Sequence, residues 1–177
     1  MRSRPLSLPA LLCYAAVALA AFGGILAETV VIYPNAFHDV PASLAGAMEF
    51  FTVTGPANYF PPLGAVTVLL GITALALSWG RRPVRWWVAA SLVSLVVGEF
   101  LFSVVFFWPR NELMFTEGIA VHSAEVLRRA ATEFETGHLA RVALSGVTAA
   151  LAGAGFLRAH RESVVDEFRA GVSARSV

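Results

Sequence analysis

Hydrophobic positions in this chain fall into four long runs separated by polar stretches: roughly Leu11 to Tyr33, Pro61 to Trp79, Trp86 to Trp108 and His138 to Leu157. A helix needs about 20 mostly apolar residues, at about 1.5 Å of rise each, to cross the hydrocarbon core of a bilayer. Each run meets that length, so the pattern predicts an all-α, four-helix transmembrane bundle. The stretch 34–60 between the first two runs carries Tyr33-Pro34-Asn35 at its entry and His38-Asp39-Val40-Pro41 after it. Ala42 to Thr54 is helix-compatible, and Pro56, Pro61 and Pro62 bracket the return. Phe50, Phe51, Tyr59 and Phe60 make this loop apolar for exposed sequence, which suggests either a lid over the bundle end or a short helix lying in the interface. The stretch 109–137 is helical in pattern from about Glu117, with Val121, Ala124, Leu127, Ala131 and Phe134 at helical spacing. Gly137 is expected to bend it into the fourth span. Residues 1–160 then form one transmembrane domain, and 161–177 a cytoplasmic tail that is helical near the membrane and frays toward Val177. No repeat or low-complexity tract is apparent.

Composition agrees: of 177 residues 57% are hydrophobic and 14% charged, and the mean hydropathy of +0.69 is far above that of a soluble domain. The spans leave no room for a separate soluble domain. All 13 Lys-or-Arg residues are arginine and are dispersed, and the net charge is +1, so nucleic acid is not an expected partner. Their placement sets the expected topology: Arg2 and Arg4 precede the first span, Arg81, Arg82 and Arg85 fill the turn between the second and third, and Arg158, Arg161, Arg169 and Arg175 follow the fourth. By the positive-inside rule both termini are cytoplasmic, in a multi-pass protein of the cell membrane, with 34–60 and 109–137 outside. Trp79, Trp86, Trp87 and Trp108 fall at span ends, where amphipathic rings prefer the interface. Arg2, Arg4 and Ala18-Leu19-Ala20 imitate a signal peptide, but the apolar run continues to Tyr33 and favours an uncleaved first helix. The single cysteine, Cys13, excludes an intramolecular disulfide and a zinc-thiolate cluster.

Polar residues inside the spans are the candidates for chemistry. Glu99 is the only charge between Trp86 and Trp108; helical rise puts it about 13 Å from the outer end, and Glu28 about 7 Å from it. Glu28 follows Ala20 and Gly24 on a small-residue seam, so it should face other helices. A charge at mid-membrane costs about 2.5–3.5 kcal/mol on insertion scales and normally finds a partner. Glu135, His138, Arg141 and Ser145 recur at helical spacing at the start of span four, followed by Ala149, Ala152 and Gly153. The expected site is a buried cluster of Glu28, Glu99, His138 and Arg141, roofed by Arg110 and Asn111. The competing reading of the same residues is an ion pair that only fixes helix register. Glu28, Glu99 and the E-x-x-H pair Glu135 and His138 resemble carboxylate-bundle metal ligands, but di-iron bundles need two such pairs, so no metal is expected. His122 and Glu125 form a reversed pair without a partner set. His38, His122 and His160 lie outside the spans, which leaves no bis-histidine haem site, and no nucleophile elbow, phosphate loop or CxxC motif is present.

Four spans with a basic inner turn, the stretch GGILAETVVIYP at the end of span one, W-P-R-N-E-L leaving span three and G-H-L-A-R opening span four together resemble the anthrone-oxygenase-like family of small bacterial and fungal membrane proteins. The resemblance covers roughly residues 20–157. It implies oxidation of an apolar aromatic or quinone-like substrate in an outer-side pocket without metal or flavin, hence no cofactor. The matching positions are Asn111, His138 and Arg141; the aromatic residue often found before the histidine is Gly137 here. If that activity holds, His138 would be the base and Arg141 would hold the oxyanion; Glu28 and Glu99, which come from the reading of the spans and not from the family, would orient the histidine or take protons onward, with Glu28, Asn111 and Arg110 contacting substrate. Two other classes fit the same residues: a non-catalytic membrane scaffold, and a small transporter or accessory subunit, which with four spans would require homo-oligomerisation through the small-residue seams. The inner halves of spans three and four offer only Ser91, Ser94 and Thr148 to such a path.

Overall fold

The computed structural model describes residues 4–175. Arg2 and Val177, and the side chains of Arg4 and Arg175, lie outside what it describes. Five helices make up the described chain. Helix α1 runs without a break through Arg4–Ala27, Glu28–Ile32 and Tyr33–Phe37, past Ala18-Leu19-Ala20. Helix α2 is Ala42–Phe50 and α3 is Pro56–Ser78. Helix α4 covers Arg82–Val121 and α5 Ala124–Arg175. Four of the five, all but α2, are long and apolar enough to cross a membrane.

Around the bundle, α1 packs on α3 and α5, and α4 packs on α3 and α5, closing a four-membered ring. The turns are short, Trp79 to Arg81 between α3 and α4 and His122 to Ser123 between α4 and α5, as antiparallel neighbours require. Two differences from the sequence expectation concern the stretch 109–137. Helix α4 does not stop at Trp108 but continues to Val121, and α5 runs unbroken through Gly137. Gly137 serves a close approach instead: a Cβ there would lie 2.2 Å from the Phe106 ring of α4. Near the end of α4, Gly118 has a φ of 55°, which is left-handed and favours glycine. Helix α2 ends at Phe50, short of Thr54.

The bundle has two buried apolar clusters. One, at the arginine-rich end, joins Leu11, Tyr14, Ala18, Ala74, Val84, Val88, Ala152 and Ala159. The other, at the opposite end, joins Tyr33, Val40, Leu44, Phe107, Met114, Leu127, Ala130, Ala131 and Phe134. Val40 and Leu44 bring the α1–α2 connection and α2 onto that end as a cap, while Phe50 and Val53 beyond it stay exposed. Outward-facing Leu12, Leu19, Leu69 and Ile72 are exposed while small residues fill the first cluster, the arrangement of a bundle whose outer solvent is lipid. Along α1, α4 and α5 alike, the polar residues Glu28, Glu99 and His138 to Thr148 lie between the two clusters.

Widened turns distort this frame. In α1 the hydrogen bonding lengthens to a π turn over Glu28–Ile32, and in α4 over Ser94–Leu101, Ser103–Phe107 and Glu112–Glu117. Pro34 and Pro109 each follow one residue after such a stretch. A proline ring clashes with the carbonyl four residues back, here Val30 and Val105, and a widened turn moves that carbonyl aside. Both buried glutamates sit on widened turns.

Candidate functional site

His138 is fully buried on α5. Its ring is boxed by three aromatic rings: Tyr33 at 4.5 Å edge-on, Phe107 at 5.2 Å edge-on and Phe134 at 5.3 Å stacked. Its Nδ1 lies 2.9 Å from the Thr29 hydroxyl, which in turn donates to the Ile25 carbonyl at 2.8 Å. Tyr33 donates its hydroxyl to Glu28 Oε1 at 3.0 Å, so one tyrosine touches both the carboxylate and the imidazole. Phe107 makes the next link, its ring centroid 5.3 Å from the Arg141 guanidinium; Phe60 of α3 lies 5.5 Å from that cation. Among the described residues Arg141 forms no direct ion pair, yet it is the charge within electrostatic reach of Glu28, Glu99 and His138.

Three buried side-chain atoms have no hydrogen-bond partner among the described residues: Glu28 Oε2, His138 Nε2 and Arg141 Nε. Buried polar atoms are nearly always paired, and an unpaired one costs about 1–3 kcal/mol. The three residues are linked through two rings, Glu28 and His138 through Tyr33, and His138 and Arg141 through Phe107.

Glu99 is differently placed. Its Oε1 lies 2.6 Å from Thr148 Oγ1, which also reaches Ser94 Oγ at 3.0 Å. Tyr14 and Ser91 are 2.8 Å apart, and Ser91 donates to the Thr148 carbonyl at 2.8 Å, so Tyr14 must be the donor in its own bond. Arg110 turns to α5: its Nε and Nη2 donate to Glu133 Oε2 at 3.2 and 2.7 Å, its Nη1 to the Phe106 carbonyl at 2.9 Å, and its guanidinium covers the Phe106 ring. Asn111 is partly buried on the adjoining turn, and among the described residues no hydrogen bond joins Arg110 or Asn111 to Glu28 or Glu99.

The E-x-x-H pair does not form. Glu135 is exposed and lines a surface notch of about 240 Å3 with His38, Asp39 and Arg128, whereas His138 faces inward. Among the described residues no three His, Cys, Asp or Glu side chains gather as a metal site would require. His122 bonds Glu117, not Glu125. Thr29, Tyr33 and the rings of Phe107 and Phe134 complete the surroundings of His138; their roles were not evident from spacing, though Pro34 and Pro109 each lie just after a distorted turn.

The chain matches no curated protein and no solved structure. The family model described as anthrone oxygenase matches residues 49–151, more than half of the chain. Glu99, Asn111, His138 and Arg141 lie inside that stretch, and Glu28, Thr29 and Tyr33 precede it. With four apolar helices and this match, the chain belongs to the anthrone oxygenase family.

Proposed function

We propose that the chain is a membrane-embedded oxygenase for an apolar aromatic substrate of the anthrone type, in which an acidic benzylic CH2 becomes a carbonyl. The observation that supports this most directly is the trio of unpartnered buried atoms, Glu28 Oε2, His138 Nε2 and Arg141 Nε, walled by Tyr33, Phe107 and Phe60. An acceptor nitrogen is what proton abstraction needs, and a guanidinium N–H is suited to the oxygen that gains charge.

In this scheme His138 Nε2 removes one benzylic proton, and the charge is delocalised onto the ring-carbonyl oxygen beside Arg141. The carbanion passes one electron to O2, the two radicals combine in a C–O bond, and His138 returns its proton to give a hydroperoxide. Removal of the second benzylic proton breaks the O–O bond; hydroxide leaves, takes that proton and departs as water. The sum is CH2 plus O2 giving C=O plus H2O, with carbon oxidised and oxygen reduced, and no outside reductant. Glu28 Oε2 would accept a substrate hydroxyl. Arg110 and Asn111 would close the outer side, Arg110 through its hold on Phe106. Glu99 would act through charge near Arg141 while its Thr148 bond ties α4 to α5.

The transport alternative is weakly supported, because the hydroxyls of Ser91 and Tyr14 lead to Leu11, Ala74 and Val84, all fully buried apolar residues. Both termini are proposed to be cytoplasmic, on the arginine distribution; reporter-enzyme fusions at either end would report that directly. The test of function is oxygen uptake by the purified protein in lipid nanodiscs with anthrone, against the autoxidation background. One anthraquinone per O2 is expected, with His138→Ala lowering the rate by about a hundredfold. Uptake that never exceeds background with anthrones or hydroquinones would sink the proposal.

A further inference from the structure

The hydrogen bonds at Thr29 contain information about the proton on His138. The Thr29 hydroxyl has one hydrogen and two neighbours, the Ile25 carbonyl oxygen at 2.8 Å and His138 Nδ1 at 2.9 Å. A carbonyl can only accept. Two oxygens at that separation without a hydrogen between them repel, so the threonine hydrogen belongs on Ile25 O. The second contact is then a hydrogen bond only if Nδ1 carries the hydrogen and Thr29 accepts it. At the other side of the ring, Nε2 is buried with no partner in either protonation state. The assignment therefore rests on the Thr29 end of the ring.

We infer that Thr29 is a positioning residue that holds His138 as its Nδ1–H tautomer and leaves the Nε2 lone pair as the site's buried acceptor. A histidine side chain in water prefers its hydrogen on Nε2, so the bond to Thr29 reverses the intrinsic preference. The widened turn over Glu28–Ile32 makes this contact available. On a wider turn, neighbouring residues are separated by a smaller angle than on a regular helix, so Glu28 and Thr29 both reach inward, one to Tyr33 and the other to His138. The inference deepens the proposed oxygenase, which rests on Nε2 as base, but the tautomer can be read without any turnover.

The experiment is nitrogen NMR on the full chain labelled with 15N-histidine in nanodiscs. Protonated and lone-pair ring nitrogens are separated by chemical shift, and His138→Gln identifies the His138 signals among the four histidines. The wild type is expected to show Nδ1 protonated and Nε2 bare. Thr29→Val, which keeps the shape and removes the acceptor, should move the major form to Nε2–H, and Thr29→Ser should keep the wild-type pattern. A wild type with Nε2–H, or a Val variant with the wild-type pattern, overturns the inference. In oxygen uptake with anthrone, Thr29→Val should lower kcat about tenfold or more with KM little changed, and Thr29→Ser should restore most of it. A correct tautomer without any uptake would sink the oxygenase and leave the Thr29 assignment standing. Uptake with the wrong tautomer would sink the Thr29 assignment and with it Nε2 as the base, and leave only the overall oxygenase activity standing.

Discussion

Adding one methyl group at Gly137 should destabilise the bundle, although alanine is the better helix former. Helix propensity alone favours Gly137→Ala by about 1 kcal/mol. Against that, the new Cβ would sit 2.2, 2.9 and 3.0 Å from three atoms of the Phe106 ring, where carbon atoms prefer about 3.5–4.0 Å. The ring would have to retreat by more than an ångström. It is not free to do so: Phe102 stacks on it at 5.2 Å, Phe107 meets its edge at 5.1 Å, and the Arg110 guanidinium lies 3.7 Å from its centroid. Overpacking of this kind costs about 1–3 kcal/mol, and disturbing a cation–π contact about 0.5–1 kcal/mol more. The steric cost therefore exceeds the propensity gain, and a net loss of about 1–2 kcal/mol is expected. The decisive measurement is a double-mutant cycle, unfolding wild type, Gly137→Ala, Phe106→Ala and the double variant by SDS titration in mixed micelles. With Phe106 shortened, Gly137→Ala should become stabilising by about 0.5–1 kcal/mol, giving a coupling of about 2 kcal/mol between contacting residues. Equal effects in both backgrounds would refute the idea that Gly137 exists to admit Phe106.

Two further outcomes follow from hydrogen bonds that cross between helices. Thr148→Val removes the hydroxyl that meets Glu99 Oε1 at 2.6 Å and Ser94 at 3.0 Å; the same titration should show a loss of about 1–3 kcal/mol, with Thr148→Ser recovering most of it. If Val is tolerated without loss, Glu99 has another partner. Arg81, beside the α3–α4 turn, donates to the Ala159 carbonyl at 3.0 Å and pairs with Glu162 at 2.9 Å. Arg81→Ala should cost about 1–2 kcal/mol, mostly through the carbonyl bond, since an ion pair still partly open to solvent contributes little. Raising the salt concentration should leave most of that difference in place.

Much of the fold is legible because the bilayer makes a coarse demand: a span is a long apolar run, and all four runs become helices. Their ends are less legible. Pro109-Arg110-Asn111-Glu112 reads as the start of a loop, yet α4 carries on through it, because a proline followed by a buried Met114 can be kept in a helix by widening the turn before the proline. Gly137 reads as a bend because glycine weakens a helix; its actual use depends on a ring from another helix, which no local pattern reveals. Glu135 and His138 look like neighbours at helical spacing. Nothing in that spacing says that the surface of the cap lies between an exposed Glu135 and a buried His138.

The residues around the site were partly legible for the same reason that the fold was: a charge in a span is costly, so Glu28, Glu99 and Arg141 stand out from sequence alone. What spacing does not convey is that these three are not equivalent. Glu99 is held by Thr148, Arg141 by the faces of Phe60 and Phe107, and Glu28 by Tyr33 through only one of its two oxygens. The distinction arises from the widened turns, which deform α1 and α4 where each carries its glutamate. Pro34 accounts for the widened turn on α1, which brings Glu28 and Thr29 to the two sides of one tyrosine–histidine pair; on α4 the widened stretch that carries Glu99, Ser94–Leu101, lies apart from Pro109 and sets Glu99 against Thr148 of α5. A bundle without Pro34 could keep its Glu28, but the adjacent threonine would rotate away from the histidine. The sequence feature most informative about the chemistry is therefore not the glutamate by itself but the glutamate, threonine and proline of ETVVIYP taken together.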